Sequence, residues 1–359
     1  MKKVLGLLAL TVAVSGVASA DQDVLQNIEL NTELRQGWMD LDGDNANAIG
    51  NAGFKKANKT RLRWRNVVTG ELKLVDEWDL NAKFKVQNDQ DKWYSDGKLG
   101  AGRGEEWETN FELSKPMTFG SLETETALGW THKSYRLGTE NTAKTTIGTS
   151  NEIYFGPKFS LNLFGQDIST KLQAVYFTAN GTKSGDYMYG GGAFERGKTE
   201  GWGFNNQFAT SGDIIDAGFG KLGYYIELNN NFRDPRGKLA ATGEEAKSSV
   251  YLDYITGVTY TTPSFAGFYG QVNLENEWEK YTGRTGYLNN FSLWTNVGYK
   301  TSFDTAVGEI TVNPFVKYRP LHRETLKDRN DPDLADYGYK RTVETNEVRA
   351  GVSVGLTVK

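Results

Sequence analysis

The stretch NKTRLRWRNVVTGELKLVDEWDLNAKFKVQND, residues 58–89, decides the fold. Its first limb runs Arg61-Leu62-Arg63-Trp64-Arg65, with charge and bulk alternating at every step. Its second limb, from Glu71 to Val86, keeps the same rhythm. Leu72, Leu74, Trp78, Leu80, Ala82, Phe84 and Val86 take one face. Glu71, Lys73, Glu77, Asp79, Lys83 and Lys85 take the other. A period of two is the signature of strands, because successive side chains point to opposite faces. The spacing predicts a hairpin with its tip at Thr69-Gly70. A second limb of about 15 residues is far longer than the usual strand of 5–6. A soluble sheet also alternates, but it covers its apolar face with a second layer. One face nearly all apolar and the other densely ionic fits a closed cylinder with lipid outside and water inside.

The bulk composition agrees. The chain has 359 residues and a mean hydropathy of −0.55, and no internal run approaches the ~20 apolar residues of a spanning helix. A barrel escapes that test, since only every second residue meets lipid. The 41 Gly, 18 Tyr, 18 Phe and 9 Trp suit strands, tight turns and interfacial belts. Cysteine is absent, so an exported chain of this kind is held by its hydrogen-bond ladder rather than by disulfides. Residues 1–20 read as an export signal: Lys2 and Lys3, an apolar run from Val4 to Val17, then Ala18-Ser19-Ala20. Residues 21–359 read as one domain, with no Pro/Ser linker and no heptads. A net charge of −4 and the lack of a basic cluster beyond the alternating arginines give no reason to expect nucleic acid.

The alternation continues along the chain and predicts an all-β, transmembrane, antiparallel up-and-down barrel of about 14 strands. The first strand places Glu29, Glu33 and Arg35 inward. Long polar loops are expected at residues 40–57, 88–104, 180–201 and 234–247, with short turns between the other strand ends. Short turns belong on the periplasmic side, which puts both termini in the periplasm. Trp38, Trp107, Trp130, Trp202 and Trp278 gather at the long-loop ends, and Phe119, Tyr224, Tyr260, Phe268 and Phe303 near the short turns, as two interfacial belts require.

Arg35, Arg61, Arg63, Arg65 and Lys73 are the basic pore-lining candidates. Glu77, Glu106, Glu108, Glu112, Glu123, Glu125, Glu275 and Glu277 are the acidic ones, with Glu279 continuing the last group. Inward charges cannot stay dry, so the lumen should hold water. The acidic walls Glu106–Glu125 and Glu275–Glu279 are expected to oppose the arginine stripe and set a transverse field. Acid and base nearly balance, so strong ion selectivity is not expected.

This pattern resembles the monomeric outer-membrane porins of the outer-membrane protein G type, and the major outer-membrane porins of fusobacteria. The resemblance covers the whole mature chain and is architectural, carried by no short motif. It implies passive diffusion of ions and small hydrophilic solutes. It also implies lipid and lipopolysaccharide as surroundings, and a monomer rather than a trimer. No cofactor is read from the sequence. Two other function classes stay open. His132-Lys133-Ser134 resembles the H-x-S of outer-membrane phospholipase A and would make a lipid hydrolase, and the long loops would serve a surface adhesin. His322 is expected in a long loop. Asp40-Leu41-Asp42-Gly43-Asp44 begins like a calcium loop, but Asn45 and Asn51 stand where Gly and Glu are needed.

Overall fold

In a computed structural model, the described residues are 25–40, 59–95, 98–138, 142–163, 165–187, 194–282, 286–329 and 340–358. The export signal, most of the calcium-like loop and Gly190-Gly191-Gly192 lie outside them. The strands in chain order are β1 (Leu25–Asp40), β2 (Lys59–Val75), β3 (Leu80–Ser95), β4 (Lys98–Phe119) and β5 (Leu122–Gly138). Then come β6 (Thr145–Leu163), β7 (Gln166–Gly181), β8 (Lys198–Ala217), β9 (Gly220–Arg236) and β10 (Ser249–Thr261). The last are β11 (Phe268–Tyr281), β12 (Tyr287–Tyr299), β13 (Thr301–Asp304), β14 (Gly308–Lys327) and β15 (Lys340–Val358).

Sequence neighbours pair antiparallel throughout, and β15 pairs back onto β1 from Asn27↔Thr357 to Asp40↔Glu344. The short β13 extends the line of β12 against β14. The sheet therefore closes as an up-and-down barrel of 14 staves. Closure leaves no edge strand, which is the condition for a sheet to survive in lipid.

Three sequence expectations are corrected. The opening hairpin does not turn at Thr69-Gly70. β2 runs through both residues to Val75, and the chain reverses at a 3-10 turn, Asp76–Trp78, followed by Asp79 at φ 49°. Gly70 serves another purpose: it stands opposite Phe84, and a Cβ there would fall 2.5 Å from the Phe84 ring. Residues 88–104 are not a long loop, because β3 continues to Ser95 and β4 starts at Lys98. Asp89 and Asp91 are strand residues held by the arginines of β2. His322 sits within β14, half-buried, with Nδ1 2.8 Å from Ser292 Oγ.

The inner face identifies itself. On the concave side of a cylinder, side chains converge and can reach over an intervening strand. Tyr154 on β6 reaches Glu112 on β4. Lys83 on β3 reaches Glu125 on β5, and Tyr269 on β11 reaches Asn313 on β14. The residues of opposite parity form an apolar outer belt. Leu34, Trp64, Phe155 and Val316 are 48%, 55%, 57% and 53% exposed, and among the described residues no second layer covers them. An uncovered belt of this extent is an interaction surface, and on a closed barrel it matches the hydrocarbon of a bilayer.

The inner wall is kept thin by aromatic rings lying flat over glycines of the next strand. A Cβ on Gly129 would meet the Tyr154 ring at 2.1 Å, one on Gly257 the Tyr225 ring at 2.2 Å, and one on Gly298 the Tyr269 ring at 2.4 Å. Each of these tyrosines uses the vacated space to place its hydroxyl on the strand beyond: Tyr154 on Glu112, Tyr225 on Glu275, Tyr269 on Asn313. Each ring lies flat against the bare backbone of the neighbouring stave.

Candidate functional site

The bore divides into three charged sectors. The first is an arginine arc on β14, β15, β1 and β2. Arg63 binds Asp91 at 2.7 Å and Asp89 at 3.0 Å, and Arg65 binds Asp89 at 2.6 Å. Arg61 lies 4.0 Å from Asp91. Arg35 pairs with Glu33, and Arg319 and Arg349 both pair with Glu347. Asp89 and Asp91 are 1% and 4% exposed; a carboxylate so buried requires a cation to offset its desolvation, a cost of several kcal/mol. The arginines are thus part of the wall's stability as well as its charge.

The second sector is β3 to β6, where sequence alone suggests an acidic wall. The structure corrects this, because lysines from neighbouring staves neutralise it. Glu108 lies 2.8 Å from Lys85 and 3.6 Å from Lys133. Glu112 takes Lys158 and the Tyr154 hydroxyl, Glu106 takes Lys183 at 2.7 Å, and Glu125 lies 3.9 Å from Lys83. Glu123 stands near the short turn opposite Thr118. Lys73 lies on the face of Glu71, opposite Asn81. Glu77 belongs to the Asp76–Trp78 turn and lies on no stave, because the hairpin reverses there rather than at Gly70.

This second sector is also covered. The 3-10 helix Thr182–Tyr187, which follows β7, folds over the inner wall of β5 to β8. Its one trace in the sequence is an odd run: Val175, Phe177 and Ala179 are apolar on the inner parity, where other staves carry charge. They are 1%, 0% and 7% exposed, and the helix lies on Phe177 and Ala179 through Tyr187. The Tyr187 ring stacks on Phe177 at 4.2 Å and 3°. Lys183 ties the other end to Glu106 on β4. Arg233 on β9 closes the far side, reaching Glu152 at 3.3 Å and lying over the Phe177 ring.

The third sector is acidic. Glu227 on β9, Asp253 on β10 and Glu275, Glu277 and Glu279 on β11 share the inner face. Among the described residues none of these five lies within ion-pair distance of a lysine or arginine. Neutral donors hold them. Asn290 donates to Glu277 at 3.0 Å and to Glu279 at 2.9 Å. Tyr251 donates to Glu279 at 2.7 Å, Asn229 to Glu227 at 2.7 Å, and Tyr225 to Glu275. Glu275 to Glu279 are legible from parity, whereas Glu227, Asp253, Arg319, Arg349 and Glu347 are not among the sequence candidates. Extending the same parity along β9, β10, β14 and β15 would have found them.

His132 and Ser134 lie on the outer face of β5. The His132 ring stacks on Trp130 at 5.8 Å, and its Nδ1 lies 3.0 Å from Asn151 Oδ1. The described contacts include no hydrogen bond between His132 and Ser134, the contact through which a base activates a nucleophile.

An oily exterior, a closed ladder and an ionic bore define a membrane-spanning β-barrel with a polar interior. No family model matches the chain, and no curated protein matches it. Solved structures that are similar in fold include a Pseudomonas aeruginosa FadL homologue (TM-score 0.42, 10% identity, 92% of this chain and 90% of that one). Others are a mutant of TodX, described as a monoaromatic hydrocarbon channel (TM-score 0.43, 6% identity, 96% and 92%), and OmpT of Vibrio cholerae (TM-score 0.36, 11% identity, 92% and 97%).

Proposed function

We propose that the chain is an outer-membrane porin, a water-filled channel for passive diffusion of ions and small hydrophilic solutes. The observation that carries this reading is the acidic sector: five inner-face carboxylates with neutral donors and no described cation partner require water beside them. In this reading short turns and both termini face the periplasm, long loops meet lipopolysaccharide, and the monomer suffices, since one chain closes its own bore. Ion selectivity is weak because the bore carries both signs. Purified protein in a planar bilayer is expected to give stable, ohmic conductance steps. A folded, inserted protein that leaves the bilayer silent overturns the porin reading.

A further inference from the structure

Resting on the porin reading, we propose that the bore favours zwitterionic solutes, free amino acids and short peptides, over neutral solutes of equal size. The ammonium group follows the acidic sector while the carboxylate follows the arginine arc.

The covering helix decides where a solute can go. It occupies the wall from β4 to β8 through Lys183–Glu106 and Tyr187–Phe177. Among the described residues no helix lies on the inner faces of β9 to β11 and of β14 to β2, and these faces carry opposite charge. Only β12 separates them. In the arginine arc, Arg35, Arg61, Arg63, Arg65, Arg319 and Arg349 share Glu33, Asp89, Asp91 and Glu347, so guanidinium groups outnumber their bonded carboxylates. Among the described residues, the carboxylates of the acidic sector stand with neutral donors alone. Neither side cancels itself, and each is completed by a mobile charge of the other sign.

The seam on β12 is built to hold the two apart. Trp294 stands opposite Asn273 and two residues from Ser292, the partner of Glu275. Its ring takes Arg349 at 4.2 Å and Arg319 at 5.0 Å, which aims both guanidinium groups and keeps them from collapsing onto Glu275. Asn290, four residues away on the same face of β12, is 9% exposed. Its amide hydrogens go to Glu277 and Glu279, and among the described residues its Oδ1 has no hydrogen-bond partner. Acid and arginine staves two apart stand about 10 Å from each other, with side chains leaning inward from both. One small molecule bearing both charges can meet both walls. A simple ion drawn by one sector is repelled by the other, whereas a dipole gains from each, and low-dielectric walls focus that gain.

The test is osmotic swelling of proteoliposomes with glutamine against arabinose, solutes of similar mass. Glutamine is expected to enter several-fold faster at low ionic strength. The ratio should fall to near one in a variant carrying Glu275→Gln, Glu277→Gln and Glu279→Gln, in which amide oxygens still accept the neighbouring donors. It should also fall in the unaltered protein at about 1 M salt, where the screening length shrinks to about 3 Å, so the outcome does not hang on the variant folding. Equal entry of both solutes into the unaltered protein at low salt overturns the zwitterion preference while leaving the porin reading intact. Entry of neither solute overturns both.

Discussion

Replacing Gly129 with alanine tests whether the flattened tyrosines set the bore. The added Cβ would lie 2.1 Å from Tyr154 Cζ, whereas carbon atoms rest about 3.5–4.0 Å apart. The ring must therefore withdraw by about 1.5 Å, and the neighbouring backbone of a closed ladder cannot make room. The Tyr154 hydroxyl, now 2.9 Å from Glu112, then leaves hydrogen-bond range. A bond to a charged acceptor contributes about 1.5–3 kcal/mol, and the lower chain entropy of alanine returns about 0.5–1 kcal/mol. A net loss of about 1–2 kcal/mol follows. The lifted ring also enters the bore, so single-channel conductance should drop. Equilibrium urea unfolding in lipid vesicles measures the first effect and planar-bilayer recording the second. A double-mutant cycle with Tyr154→Ala isolates the pair, because adjacent residues that share an interaction are non-additive. The reasoning is refuted if Gly129→Ala matches the unaltered protein in both assays and its effect simply adds to that of Tyr154→Ala.

Three further outcomes are expected. Replacing Arg61, Arg63 and Arg65 with Ser leaves Asp89 and Asp91 without cations; the reversal potential in a KCl gradient should move toward cation preference, and stability should fall by about 3–5 kcal/mol per broken buried pair. Tyr187→Ala removes the stack on Phe177 and should release the covering helix, raising conductance and making it noisier; an unchanged trace speaks against a covered sector. Phe155→Arg, on the exposed outer face, should destabilise the barrel by about 2–4 kcal/mol in lipid if it lies near the midplane. In the same unfolding assay Thr131→Arg, on the inner face opposite Glu152, should cost far less.

The class of fold, and the face of strand residues within the apolar belt, are legible in the sequence alone. Alternation is a property of two adjacent peptide units, so a chain with lipid on one side and ions on the other must write it locally. That is why Arg61, Glu106 and Glu275 could be placed on one face without coordinates. The signal fades where strands rise past the apolar belt, because both faces are then polar. Residues 88–95 therefore read as loop although β3 continues through them, and His322 read as solvated although β14 holds it against Ser292. Gly70 read as a turn because glycine permits one; only its partner Phe84 shows that the vacancy is for a ring. Which charges meet was decided by register and closure, since Arg63 finds Asp91 across a strand pair and Arg35 comes to stand opposite Arg349 only after the last strand has joined the first. Those contacts join residues far apart in the chain, and a period of two carries no information about them.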